Sequence, residues 1–283
     1  MQASELILNK DKSVYHLGLL PNDIANTIIT VGDPKRVAQV SKHFKEIEVK
    51  KEKREFITHT GSINGKRVSV VSTGIGTDNI DIVMNELHLL AIYNDSMTSL
   101  RSVPRKFNII RIGTTASITA DIEVDTFIAN NHAVSLDGLM HHYQEPNGSD
   151  LLDLINKQIQ WPKALAQPYL TDASTLLLDR FESSEIKKGI SYTANGFYGP
   201  QFRGIHQSPK FLHLLTQIQT FKHGNLRFTN IEMETAGIYG MANFLGHNAI
   251  SLNAVLANRV TGTFSNTPEK TVETLIALVL SKI

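Results

Sequence analysis

The sequence predicts one α/β domain with a central, mixed β-sheet flanked by helices. Three observations predict it. Short β-branched runs alternate with stretches of helical periodicity. Glycine turns stand where those strands would enter helices. Within the 283 residues there is no internal repeat and no Gly/Ser- or Pro-rich linker, so residues 1–283 read as a single domain.

The elements follow in order. Residues 27–31 form a buried strand that turns at Gly32-Asp33-Pro34 into a helix over 35–44. Residues 56–64 form a hairpin arm, because Asn64-Gly65 is a strong signal for a two-residue hairpin turn, and 67–72 form the next strand. After Gly74 and Gly76, the residues Ile80, Val83, Met84, Leu87 and Ala91 recur at helical spacing. A third strand over 107–112 opens into a turn at Gly113-Thr114-Thr115, and strands over 126–135, 188–194 and 249–257 follow. Small residues in 235–245 predict a tightly packed helix. Thr267-Pro268 starts a closing helix whose apolar stripe is Val272, Leu275, Ile276, Val279 and Ile283. Residues 94–106 read as a long surface loop and 144–150 as a turn region.

Composition excludes several functions. Hydrophobic residues at 41% and charged residues at 19% rule out a mainly disordered chain. A net charge of +1 is too small for affinity built on nucleic-acid phosphates, so no nucleic-acid partner is expected. With no cysteine there is no disulfide, thiol nucleophile, Fe–S cluster or thiolate zinc site, which suits a reducing cytoplasm. Residues 1–16 lack the apolar core of a secretory signal, and the apolar run 275–280 is far below the ~20 residues of a membrane span. A soluble, cytoplasmic protein with no membrane partner is therefore expected. His141-His142 has no carboxylate at ligand spacing, so no metal site is expected. Ser72 lacks a G-x-S-x-G elbow, and Asn79 interrupts a dinucleotide-type glycine spacing.

Five segments carry candidate chemistry. Gly32-Asp33-Pro34-Lys35-Arg36 joins a strand to a helix N-terminus, which reads either as turn punctuation or as an anion site with Arg36 adding donors. Ser72-Thr73-Gly74-Ile75-Gly76 lets backbone approach a ligand closely. Arg111 at a strand end serves either an internal salt bridge or an anion beside Thr114. In Phe197-Tyr198-Gly199-Pro200-Gln201-Phe202-Arg203, an extended backbone would put Gln201 and Arg203 on one face. One amide and one guanidinium would then meet a planar edge such as that of uracil and reject cytosine. Glu232-Met233-Glu234 places two carboxylates together, either complementing a helix dipole or accepting both hydroxyls of a ribose.

Taken in this order, the motifs resemble the nucleoside phosphorylase family, most closely its uridine-specific members, from Tyr15-His16-Leu17-Gly18-Leu19 to the closing helix. The resemblance implies a sheet partly closed into a barrel. It also implies pentosyl transfer, the phosphorolysis of uridine to uracil and ribose 1-phosphate in pyrimidine salvage, with deoxyuridine and thymidine as further candidate substrates. Gly32, Arg36, Arg54, Arg111 and Thr114 would hold phosphate; His16, Met233 and Glu234 would hold ribose; Phe197, Gln201, Arg203, Leu256 and Ala257 would hold the base. Arg111, Glu234 and Arg203 would be the catalytic residues. Inorganic phosphate would be a co-substrate, with no organic cofactor and no metal. Arg54 and His16 would reach in from a neighbouring subunit of a homo-oligomer, a dimer or a hexamer built from dimers.

Departures from the family pattern are Ala116 in place of a usual glycine, the order Gly199-Pro200, Asn79 in place of a serine, and the length of the 94–106 loop. The alternatives are a purine nucleoside phosphorylase and an inactive nucleoside-binding protein on the same scaffold. The purine reading lacks its acid, since Asn258 and Arg259 follow Ala257.

Overall fold

A computed structural model describes residues 4–143 and 149–283. Ser149 accepts from the backbone of Leu152 and caps a helix that starts at Asp150; the rest of the expected turn region, 144–148, lies outside the described residues. The strands are β1 (Thr27–Val31), β2 (Glu46–Lys53), β3 (Phe56–Ile63), β4 (Lys66–Ser72), β5 (Asn108–Ser117), β6 (Phe127–Ser135), β7 (Tyr169–Asp172), β8 (Ile186–Thr193), β9 (Lys222–His223), β10 (Leu226–Glu232), β11 (Asn248–Asn258) and β12 (Thr263–Phe264). The helices are α1 (Pro34–Ser41), α2 (Thr77–Ile92), α3 (Asp150–Gln158), α4 (Thr175–Arg180), α5 (His213–Thr220), α6 (Thr235–Phe244) and α7 (Pro268–Ser281).

One mixed sheet runs β12-β11-β6-β8-β10-β5-β1-β4-β3-β2, and a further pairing of β11 with β5 closes five of its strands into a barrel. Around the barrel, β5–β11, β6–β8 and β8–β10 are parallel while β11–β6 and β10–β5 are antiparallel. Parallel strands buried on both faces explain why β1 and the first half of β5 read as largely apolar runs. Helices α2 and α6 cover one side through Val83, Leu87, Ile238 and Met241; α1 and α7 cover the other through Val37, Val40, Leu275 and Val279.

Asn64 and Gly65 have φ of 52° and 75°, as the expected hairpin turn between β3 and β4 requires. The expected turn at Gly113-Thr114-Thr115 does not form. β5 runs on to Ser117, because β11 pairs with it through Asn258 and β10 pairs with Ala116 and Ser117. Ala116 is therefore a strand residue paired with Ile231 and Ala257. Residues 94–106 do form a surface loop, pinned where Arg105 donates to the carbonyls of Pro21 and Ile24. Thr267 stands at the start of α7, but its side chain makes no capping bond. No described helix is long and apolar enough to cross a membrane.

Before β11, His247 stacks on Phe107, accepts from the Phe107 N–H at Nδ1 (3.3 Å) and faces His88 at Nε2 (3.3 Å). Burial, then repulsion from His88 and Lys106, pushes the His247 imidazole down to about 4, so the folded state holds it neutral. The unfolded chain binds its proton near the ordinary value of 6.5. The stability this provides is complete above about 6.5 and is lost as pH falls toward 4, up to about 3 kcal/mol. Denaturant titrations at pH 7 and pH 5 should show that loss in the unmodified chain and a shallower one in His247→Gln.

Candidate active site

The carboxyl ends of parallel β1 and β4 lie side by side, which brings two glycine turns together. Thr73 donates its N–H to the Val31 carbonyl (2.8 Å), and a side chain at Gly32 would stand 3.3 Å from the Gly74 carbonyl. Asp33 caps α1 by accepting from the Lys35 N–H, which leaves the first turn of α1 and Arg36 facing the sheet. Arg36 donates to the Ile112 carbonyl on β5 (3.3 Å). Burial, followed by repulsion from Arg111, holds the Arg36 guanidinium below the ordinary arginine range. Two guanidinium groups that repel at the foot of a helix make a site that an anion would stabilise.

Arg111 points along β5 over Gly113, two residues on and on the same face. A Cβ at position 113 would lie 1.7 Å from Arg111 Nη1, so a glycine in mid-strand is what makes room for the guanidinium. Arg111 Nη1 donates to Asn253 Oδ1 (2.6 Å), and Nη2 donates to Glu234. Burial opposes the charge of Arg111, but Glu234 and Glu232 outweigh it and raise its hold on the proton. Burial likewise pushes the Glu234 carboxyl above the usual range, against the pull of Arg111. The sequence left Arg111 between a salt bridge and an anion site. In the folded chain it makes the salt bridge and also borders the cavity described below.

The two carboxylates where β10 gives way to α6 share the charge of Arg111 and are otherwise met by different donors, so their proximity is compensated. Glu232 accepts from the Ser191 and Thr193 hydroxyls and from the N–H groups of Glu234 and Thr235, which caps α6. Glu234 accepts from the Gly76 N–H (2.8 Å) and from Arg111, linking α6 to the β4–α2 turn.

The loop after β8 departs from the expected extended form. Gly199–Gln201 is a 3₁₀ turn, and Phe202 is left-handed at φ 61°. Gln201 and Arg203 still meet, because the left-handed residue reverses the chain and Arg203 donates to Gln201 Oε1. Arg203 lies 4.1 Å from the Phe197 ring centre, and Arg259 fixes the loop by donating to the carbonyls of Gln201 and Phe202. On β11 a bulge falls between Val255 and Ala257. It interrupts the alternation that would send Leu256 and Ala257 to opposite faces, and both border the cavity.

One cavity of about 780 Å³ collects these groups. Gly32, Arg36, Arg111, Thr114, Phe197, Gln201, Arg203, Met233, Glu234, Leu256 and Ala257 line it, as do Gly74, Ala116 and Glu232. The two residues expected to serve a neighbouring subunit's site, Arg54 and His16, do not line it. Arg54 is exposed in the β2–β3 turn at φ 55°, and His16 is tied through Nδ1 to Glu86 (2.7 Å). Glu55, Asn79, Thr115, Ile231 and Phe264 also line the cavity and were not assigned a site role. For Phe264 no local signal exists, since it enters from a two-residue strand paired with β11.

The phosphorylase superfamily matches residues 26–281. A uridine phosphorylase of Thermococcus kodakarensis is 33% identical over 260 residues, covering 90% of this chain and 81% of that protein. A DeoD-type purine nucleoside phosphorylase of Caldanaerobacter subterraneus is 29% identical, covering 90% and 92%. The crystal structure of a Trypanosoma brucei nucleoside phosphorylase, described as showing uridine phosphorylase activity, superposes with a TM-score of 0.86 at 26% identity and covers 98% of each chain. With its closed barrel, its flanking helices and a match across nearly its whole length, the chain belongs to the phosphorylase superfamily.

Proposed function

We propose that this chain cleaves uridine with inorganic phosphate to uracil and ribose 1-phosphate. The observation that carries this reading is the single cavity in which Arg36 and Arg111, the Glu234 carboxylate and the Gln201–Arg203 pair all stand. Similarity to uridine phosphorylases supports it.

In this mechanism phosphate sits between the Gly32 turn, Arg36, Thr114 and Arg111, beneath C1′ of the nucleoside. Glu234 accepts from the ribose 2′- and 3′-hydroxyls with Met233 against the sugar, which fixes C1′ over the phosphate. A phosphate oxygen forms the new bond to C1′ as the bond from C1′ to uracil N1 breaks, through a state with oxocarbenium character. The bonding pair leaves on uracil, where Arg203 and Gln201 stabilise the developing charge until a solvent proton arrives. Phe197, Leu256 and Ala257 hold the base. Arg54 and His16 complete a neighbouring copy's site, which makes the active form a homo-oligomer, a dimer or a hexamer of dimers. No organic cofactor or metal takes part, and the reaction belongs to cytoplasmic pyrimidine salvage.

The relatives named purine nucleoside phosphorylases make purine nucleosides the second reading. A purine leaving group needs an acid at the base end. The carboxylates lining the cavity are Asp33, Glu55, Glu232 and Glu234, beside the glycine turns and the ribose position. Asn258 is consumed structurally, donating to the Thr119 and Ile122 carbonyls.

Base release measured with and without phosphate across uridine, thymidine, cytidine and inosine should be phosphate-dependent and fastest with uridine; faster release from inosine would favour the purine reading. Arg111→Ala should lower kcat/KM for phosphate by about 10³-fold, the scale of losing a buried charge stabiliser. Arg203→Ala should lower kcat/KM for uridine about 10²-fold and narrow the preference over cytidine.

A further inference from the structure

The interior of a small barrel is ordinarily filled with aliphatic side chains. Here every one of the five barrel strands contributes a buried polar group, and the groups close a hydrogen-bonded ring. Arg111 on β5 donates to Asn253 Oδ1 on β11 (2.6 Å), and Asn253 Nδ2 donates to Asn130 Oδ1 on β6 (3.4 Å). Asn130 Nδ2 donates to Asn230 Oδ1 on β10 (2.7 Å), and Asn230 Nδ2 donates to Ser191 Oγ on β8 (3.3 Å). Ser191 donates to Glu232 Oε1 (2.9 Å), whose other oxygen holds the Glu234 N–H (2.8 Å), and the Glu234 carboxylate returns to Arg111. None of these residues is more than 6% exposed.

Every side-chain donor in the ring points the same way, from the cation Arg111 toward the anion Glu232. The two charged ends impose that sense. Arg111 accepts no hydrogen bond, so Asn253 must turn its oxygen to it; Glu232 donates none, so Ser191 must turn its proton to it. Reversing a single amide would set N–H against N–H at one joint and oxygen against oxygen at the other. A fully satisfied network of this kind is rigid.

We propose that Asn253, held by this ring, is a positioning residue for Arg111 in the phosphorolysis described above, on which the assignment rests. When Glu234 accepts from the ribose hydroxyls, its grip on Arg111 Nη2 weakens. The Asn253 bond to Nη1 then keeps the guanidinium facing the phosphate.

The test compares the unmodified chain with Asn253→Leu, which keeps the volume, Ser191→Ala, and the double variant. The readouts are kcat/KM for phosphate at saturating uridine and the uridine-over-cytidine ratio. Asn253→Leu should lose about 10²-fold in kcat/KM for phosphate with the base ratio unchanged, and Ser191→Ala, which touches neither Arg111 nor Glu234, about fivefold. The double variant should lose less than the product of the two. Ser191→Ala removes one oxygen and leaves Glu232 with the Thr193 hydroxyl, so it reads the ring even if Asn253→Leu does not fold. Unchanged phosphate kinetics in Ser191→Ala, or a fully multiplicative double variant, would overturn the assignment while the proposed function stood. An unmodified chain that turns over no nucleoside with phosphate would overturn both.

Discussion

The buried charge of Arg111 is the constraint on which the rest of the structure depends. A guanidinium taken out of water is costly unless its donors are met and its charge is compensated. The barrel meets both demands from separate strands: Glu234 and Glu232 from the end of β10, Asn253 from β11 and the bare Gly113 from β5 itself. Each partner fixes something else in turn. Glu234 ties α6 to the Gly76 turn, and Glu232 caps α6. Satisfying one arginine thus places a carboxylate, a helix terminus and a glycine turn around one hollow.

The cavity has two ends built on different principles. At the sheet's carboxyl edge, short turns after β1 and β4 present backbone N–H groups and Arg36, held by hydrogen bonds between the turns. At the other end the loop after β8 presents Gln201 and Arg203 through a 3₁₀ turn and a left-handed Phe202, held by Arg259. The first end rests on regular structure, as charge placement demands. The second is a loop on a rigid barrel, where specificity can change without disturbing the core.

The sequence was most legible where local signals and tertiary context agree. β1 carries a near-continuous apolar run, the Asn64-Gly65 turn can adopt little else, and α2 and α7 show their stripes at helical spacing. Strand β2 was missed because its pattern of Lys and Glu suits an edge, with Ile47 packing against the core. Strand β10, with buried Thr229 and Asn230, reads as polar because its side chains enter the barrel's hydrogen-bonded interior. The continuation of β5 past Gly113 was hidden for a related reason: the glycine there serves Arg111 and not a turn. Most residues that line the cavity were legible from their motifs, but the route by which Gln201 and Arg203 meet was not, since a single left-handed residue leaves no periodic trace.

The central claim is that phosphate and nucleoside meet in one cavity and that phosphate is the attacking group. The most direct measurement is the identity of the sugar product, followed by phosphorus NMR as the chain consumes uridine in phosphate buffer. The account predicts one pentose 1-phosphate for each uracil released, with inorganic phosphate falling in step. Free ribose accumulating at constant phosphate would contradict it.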